Sequence, residues 1–173
     1  MRALVIGGSM AGLFCGVLLR ARGWDVEIFE RSGETLASRG AGIATHDELY
    51  EAFAVAGIDR REEMGVRSEG RVVFDRHGAV VGRCEMPQIM TSWGFLYRFL
   101  RAQFPDEHYH GGHSFEDYRQ TADGVEVRFA NGEIVRGDWL IGADGTRSTV
   151  RERLWPGVTP LYCGYFILSL IHI

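Results

Sequence analysis

The residues best placed to do chemistry in this chain are a glycine turn and a carboxylate at a set distance from it. Gly7-Gly8-Ser9-Met10-Ala11-Gly12 follows directly on the short apolar run Ala3-Leu4-Val5-Ile6, and Glu30 closes a second run, Val26-Glu27-Ile28-Phe29-Glu30. Glycines let a backbone turn tightly and come close to a pyrophosphate, whose charge is met by the amides that open the next helix. Glu30 follows Gly12 at close to the ~20-residue spacing of acids that accept hydrogen bonds from a ribose diol. The implied chemistry is capture of an ADP moiety. Ser9 stands where such a motif has its second glycine, and serine is small enough to leave the approach open. A second acid-glycine pair, Asp144-Gly145, follows the apolar run Trp139-Leu140-Ile141-Gly142-Ala143.

These residues need elements to hold them. A buried parallel strand reads as a continuous apolar run, so residues 3–6, 26–30 and 139–143 are expected strands. A helix runs from the glycine turn to Arg22 and stops at Gly23; a second spans 47–56, with Leu49, Phe53 and Ala56 on one face and Gly57 as its C-terminal cap. Between them lies a loop, Arg39-Gly40-Ala41-Gly42-Ile43. Val72-Val73-Phe74 and Ala79-Val80-Val81 flank Asp75-Arg76-His77-Gly78, a hairpin signal in which Gly78 supplies positive φ. An amphipathic helix is expected over 91–104, with Phe95, Leu96, Phe99 and Leu100 apolar, Arg98 and Arg101 polar, and Pro105 ending it. Strands follow at 113–119, 124–129 and 133–136, the last two joined by an Asn131-Gly132 turn, and Ser148 reads as the N-cap of a helix through Leu154. If the 139–143 strand lies parallel to the first, both turns reach the same carboxyl edge of a sheet, where ligands of open α/β sheets collect.

At 173 residues the chain can build one good-sized domain, or one domain and part of another. Hydrophobic residues make up 46% and charged residues 24%, ordinary for a globular protein, and a net charge of −4 offers no attraction to nucleic acid or an anionic membrane. Met1-Arg2 and the apolar residues after it superficially resemble a secretory signal. Glycines at 7, 8, 12 and 16 interrupt that stretch, however, and Arg20 and Arg22 end it. No stretch approaches the ~20 apolar residues of a membrane span. Cys15, Cys84 and Cys163 are odd in number and lack metal-ligand spacing, so they read as reduced thiols of a cytoplasmic protein, Cys15 filling core space. No metal site and no Ser-His-Asp constellation is expected, and His46 and His113 receive no catalytic role, since most lone histidines are structural or exposed.

Taken in order, the glycine motif ending at Glu30-Arg31, the Gly40-Ala41-Gly42-Ile43 loop and the segment from Trp139 to Arg151 resemble the class A flavoprotein aromatic hydroxylases, the para-hydroxybenzoate hydroxylase family. Asp144, Gly145, Ser148 and Arg151 look like that family's Asp-Gly motif, which is associated with both FAD and the nicotinamide cofactor. Thr91-Ser92-Trp93, Tyr97-Arg98 and Pro160-Leu161-Tyr162-Cys163-Gly164-Tyr165 resemble its 2,6-dihydroxypyridine 3-monooxygenase branch. The resemblance implies an α/β fold: a Rossmann-like FAD-binding domain of the GR2 type with a parallel sheet, an antiparallel β-ribbon, and the start of a truncated substrate domain. It also implies a cycle in which NAD(P)H reduces FAD and O₂ then gives a flavin C4a-hydroperoxide that hydroxylates an aromatic or N-heteroaromatic ring. The cofactor carries that chemistry.

Roles follow from the resemblance. Gly7, Gly8, Ser9 and Gly12, with the amides of Met10 and Ala11, would face the FAD pyrophosphate, Glu30 the adenosine ribose, and Arg31 the adenine end. Arg39 and Arg98 would reach the phosphates or flavin, each set against an ordinary solvated arginine. A carboxylate is repelled by pyrophosphate, so Asp144, with Gly145, would bind ribityl hydroxyls or backbone N–H groups; a simple Asp-Gly turn is its alternative. Trp93 is a departure, because many relatives carry Arg or Gln there. The expected organisation is an FAD-binding domain over 1–157, with the 70–90 hairpin reaching toward a substrate domain, and the start of that domain over 158–167. Residues 168–173 match one reading frame of a transposon-end sequencing adaptor and are expected to be an artefactual tail. The family runs well beyond this length and adds a Gly-Asp flavin motif, so the chain is expected to be an N-terminal fragment. Small aromatic substrate and O₂ are the expected partners, with neither nucleic acid nor membrane, and homodimerisation of the full-length protein stays open. The alternatives are another flavoenzyme of the same superfold and a nucleotide-binding module without turnover. A halogenase would need Trp-x-Trp-x-x-Trp, which Trp93, Trp139 and Trp155 do not form.

Overall fold

A computed structural model describes residues 1–38, 40, 42–58 and 64–165. The expectations for Arg39, for Ala41 and for the tail at 168–173, with the last two residues of 158–167, lie outside the described residues.

The first apolar run forms β1 (Arg2–Ile6), the glycine turn leads into α1 (Met10–Ala21), and β2 (Asp25–Glu30) returns parallel to β1. Helix α1 ends where expected: Gly23, at φ +79°, donates its N–H to the carbonyl of Arg20, and Trp24 N–H reaches Leu19. The run at 139–142, β10 (Trp139–Gly142), pairs parallel to the other side of β1, with Ile6 opposite Gly142. The condition that puts both turns on one sheet edge is therefore met.

The fourth strand, β6 (Tyr109–Gly111), pairs parallel to β2 and completes the sheet order β10-β1-β2-β6. It was not expected from the sequence. Its three residues form no apolar run, and pairing to the edge of β2 makes them a strand.

Side chains alternate across a strand, so each strand feeds two cores. Ala3 and Val5 of β1, with Val26 and Ile28 of β2, pack under Leu13 and Val17 of α1 and under Leu96 and Leu100 of α3 (Trp93–Ala102). Leu4, Ile6 and Phe29 face the other way, onto Phe115, Val125, Val127 and Phe129 of an antiparallel sheet. That sheet is β7 (Phe115–Thr121), β8 (Gly124–Phe129) and β9 (Ile134–Gly137). Full burial of each such aliphatic side chain contributes about 1.5–3 kcal/mol, so the β1 pattern itself specifies a three-layer arrangement.

Helix α2 (Asp47–Val55) buries Phe53 against the helical layer, one residue short of the expected 47–56. The expected loop at 39–43 instead contributes β3 (Gly42–Ala44), which pairs antiparallel to Met90, Thr91 and Ser92. The hairpin is longer than the sequence implied: β4 (Val66–Phe74) and β5 (Val80–Ser92) make a ribbon around Gly78, with Asp75 Oδ1 accepting from the N–H groups of His77 and Ala79. Most of its side chains are exposed, so no in-out alternation marks its full length. Helix α3 begins at Trp93 rather than 91, because Thr91 and Ser92 still pair with β3; Ser92 Oγ caps it by accepting from Phe95 N–H at 3.1 Å. Helix α4 (Thr149–Leu154) has Ser148 as N-cap, its Oγ accepting from Arg151 N–H at 2.9 Å. Among the described residues no helix is long and apolar enough to cross a membrane.

Candidate functional site

The carboxyl ends of β1, β2 and β10 open into a cleft of about 650 Å³. From the first turn it is lined by Gly7, Ser9, Met10 and Ala11, from the end of β2 by Glu30 and Arg31, and from the second turn by Asp144, Gly145, Thr146 and Arg147. Trp93, Phe115 and His113 complete its walls. Residues more than a hundred positions apart thus meet in one place.

The first turn is built around missing side chains. Gly7 sits at φ +108°, a conformation that costs other residues dearly, and a Cβ on it would overlap the Ala143 carbonyl at the end of β10. A Cβ on Gly12 would overlap the Gly7 carbonyl. The two turns are therefore in direct backbone contact, and the start of α1 is pulled down onto the strand end. The first amides of a helix lack intrahelical acceptors, and Ser9, the N-cap of α1, makes no side-chain cap bond. Its hydroxyl and the amides behind it are free for an anion, as the substitution of serine for glycine requires.

Glu30 is only 6% exposed. Its Oε2 accepts from Gly8 N–H at 2.7 Å and its Oε1 from Ser32 N–H at 2.9 Å. Each carboxylate oxygen retains a further lone pair, so the group can hold the turn and still accept hydroxyls from the cleft. Gly8 and Gly12 are buried and support the turn without lining the cleft.

Asp144 takes one of its two expected partner sets, the backbone. Oδ2 accepts from the N–H groups of Thr149 (2.7 Å) and Val150 (3.2 Å), and Oδ1 accepts from the Ser148 hydroxyl. The carboxylate satisfies the orphan amides of α4 and shapes the turn, while Arg151 braces the same turn by donating to the Thr146 carbonyl at 2.7 Å. Gly145, at φ +84°, carries the chain past the cleft.

Arg98 lies on the exposed side of α3 and is not among the cleft-lining residues. Arg147 was missed by the sequence reading. It lies two residues beyond Gly145, and its position after a strand-turn pair was the available signal. Trp93 lines the cleft with its ring stacked on Tyr97 (5.2 Å between centroids, 7° between planes), and the loop closes over it at Gly40, where a Cβ would overlap the indole. His113 is tied to Glu133 at 2.9 Å and packs edge-on against Phe129, a wall of the cleft with a structural role.

Away from the cleft, Asp25, Glu27 and His108 bring ligand atoms within 4.8 Å of one another. His110 and His108 hydrogen-bond the two Glu27 oxygens at 2.6 and 3.1 Å, and the Arg2 guanidinium lies 3.4 Å from Glu27 and 3.6 Å from Asp25. Burial alone pushes the Glu27 carboxyl up, but the two histidines outweigh it and hold it below the ordinary carboxylate range. With a guanidinium already among the acids, the cluster is a hydrogen-bonded and ion-paired link between β2 and the edge strand.

Comparison with known proteins agrees with this geometry. A family model described as an FAD binding domain matches residues 1–159. The 2,6-dihydroxypyridine 3-monooxygenase of Paenarthrobacter nicotinovorans is 34% identical over 95% of this chain and 41% of its own length. The aurachin C monooxygenase/isomerase of Stigmatella aurantiaca is 33% identical over 95% of this chain and 45% of its own. Among solved structures, 2,6-dihydroxypyridine-3-hydroxylase from Arthrobacter nicotinovorans superposes with a TM-score of 0.84 at 34% identity, covering 94% of this chain and 41% of that one. HpxO of Klebsiella pneumoniae, solved with FAD and uric acid, gives 0.77 at 26% identity, covering 88% and 41%. The chain spans less than half the length of these relatives. Fold, cleft and comparisons converge: the chain belongs to the FAD binding domain family, within the class A flavoprotein hydroxylases that its sequence resembles.

Proposed function

We propose that this chain is the FAD-holding part of a monooxygenase that uses NAD(P)H and O₂ to hydroxylate a small aromatic or N-heteroaromatic substrate. The observation that carries the reading is the meeting of two turns, one held by Glu30 from the end of β2 and one bearing Asp144, at the carboxyl edge of the parallel sheet. The residues present suit FAD: a glycine cradle in which a Cβ would collide, an uncapped Ser9 hydroxyl, free helix amides and a buried carboxylate for a ribose diol.

Gly7 and Ser9, with the amides of Met10 and Ala11, would hold the pyrophosphate on a turn that Gly8 and Gly12 support from below, Arg31 and Arg147 adding positive charge from the cleft walls. Glu30 would accept from the adenosine ribose. Asp144 and Gly145 would set the second turn against the ribityl chain, Asp144 from behind through the α4 amides. When bound, FAD supplies the redox chemistry, taking electrons from NAD(P)H and passing them to O₂. This chain's own contribution is to bind, orient and keep water from one face of the cleft, with Trp93 and Phe115 as its apolar walls.

The ribbon β4–β5 leaves Val72, Val73, Phe74, Val80 and Val81 exposed, which supports its proposed reach toward a substrate domain beyond a 1–157 FAD-binding domain. Cytoplasmic residence and homodimerisation belong to the same proposal. The alternative is nucleotide binding without turnover. The test is NADH and NADPH oxidation by FAD-loaded protein, with and without hydroxylated aromatics and pyridines, under ¹⁸O₂. Substrate-stimulated oxidation with label in the product supports the monooxygenase; bound FAD with no turnover supports the binding module.

A further inference from the structure

We propose that Tyr109 is a positioning residue for the pyrophosphate turn, acting through the Gly8–Ser9 peptide. This rests on the reading that the turn holds FAD. The Tyr109 hydroxyl donates to the Gly8 carbonyl at 3.0 Å, from the edge strand a hundred residues downstream. In a trans peptide the N–H points opposite to the C=O. A carbonyl turned down onto Tyr109 therefore aims the N–H of Ser9, a cleft-lining residue, the other way. Glu30 holds the preceding peptide by its Gly8 N–H at 2.7 Å, so the turn is fixed from two sides.

Two features bear this out. A dinucleotide motif leaves the position after its first glycine free, yet Gly8 has none of that freedom: a Cβ there would overlap the Tyr109 hydroxyl and crowd the Glu30 Cβ at 2.8 Å. The glycine is matched to the tyrosine. The hydroxyl also has a defined polarity, since Gly8 O can only accept, so the one phenol proton of Tyr109 is spent on it. Burial first, then Tyr97, pushes the Tyr109 phenol well above its ordinary range, and the Arg101 guanidinium lies over its ring at 4.3 Å. Without that donor the buried Gly8 carbonyl has no partner, and Gly8, lacking a Cβ, leaves the Gly8–Ser9 peptide free to turn it toward the cleft, where its negative end would repel phosphate.

Tyr109→Phe keeps the ring beneath Arg101 and deletes only the donor. Loss of one such bond converts to an FAD dissociation constant raised about 5- to 50-fold, read by flavin fluorescence with folding checked by circular dichroism. Tyr97→Phe leaves the Gly8 bond in place and is expected to change affinity less than about threefold. Amide hydrogen exchange in the FAD-free proteins supplies a second readout: Gly8, whose N–H is held by Glu30, should exchange faster in Tyr109→Phe while the amides of β1 keep their protection. Wild-type binding with equal affinity in Tyr109→Phe overturns the positioning role. Absence of FAD binding by folded wild type overturns the FAD reading instead, and the exchange comparison then decides the role alone, an unchanged Gly8 rate refuting it.

Discussion

Replacing Glu30 by glutamine separates the two tasks assigned to that carboxylate. In the free protein its oxygens accept from Gly8 N–H at 2.7 Å and Ser32 N–H at 2.9 Å, in a site 6% exposed. A glutamine can satisfy one N–H with its carbonyl, but its NH₂ must then face the other, donor against donor. A buried donor left without a partner costs about 1–3 kcal/mol, and the surviving bond loses its charge assistance, so about 2–4 kcal/mol is expected in all. For a domain of this size each kcal/mol moves Tm by about 2–4 °C, giving a fall of about 4–16 °C without FAD. With FAD, one charge-assisted bond to the ribose diol is lost as well, about 1.5–3 kcal/mol, or about 10- to 150-fold in affinity. The assays are differential scanning calorimetry of the FAD-free protein and a fluorescence titration with FAD. If Glu30 touched no hydroxyl and merely stood near a pyrophosphate, removing its charge would relieve repulsion and tighten binding. Unchanged or tighter FAD binding in Glu30→Gln would therefore refute the assignment.

Other consequences can be measured on the same material. Gly7→Ala must adopt φ +108° and push against the Ala143 carbonyl; backbone strain of about 1–3 kcal/mol is a lower bound, and thermal unfolding should show a fall in Tm and separation of the two turns as weakened FAD binding. Asp144→Ala removes the acceptor for Thr149 and Val150 N–H and should cost about 0.5–2 kcal/mol of stability, seen in urea unfolding at constant m-value. Glu27, held below the ordinary carboxylate range by His110 and His108, stabilises the fold at neutral pH. That contribution is present above its unfolded value and is lost as pH falls below about 4 and through its folded value. Stability measured from pH 7 to pH 3 should fall less steeply in Glu27→Gln than in wild type.

Much of the site was legible because its signals are local. A run of four apolar residues, a turn that needs positive φ and an acid at a fixed interval each restrict the backbone by themselves, and β1, α1, β2 and Glu30 lie where that reading put them. Asn131-Gly132 and Asp75 through Gly78 were readable for the same reason. What stayed hidden depends on partners distant in sequence. Tyr109–Gly111 is a strand because β2 offers an edge, and Gly42–Ala44 because β5 does. Ribbon β4–β5 has no inside, so no alternation announced its length. Arg98 illustrates a different limit: helical spacing placed it on the polar face, but spacing carries no information on whether that face meets the cleft. Tyr109 could not be found by any motif, since its target is a carbonyl.

The claim at the centre of this account is that the first turn and Glu30 grip the adenylate half of FAD. The most direct measurement is a competition titration of the FAD-free protein, in which FAD binding is followed by flavin fluorescence while ADP or riboflavin is added. ADP is predicted to displace FAD, because it fills the turn, the helix amides and the Glu30 site, whereas riboflavin, which lacks both phosphates and the ribose diol of adenosine, should compete weakly. Displacement by riboflavin with no effect of ADP, on protein shown to be folded, would contradict the claim.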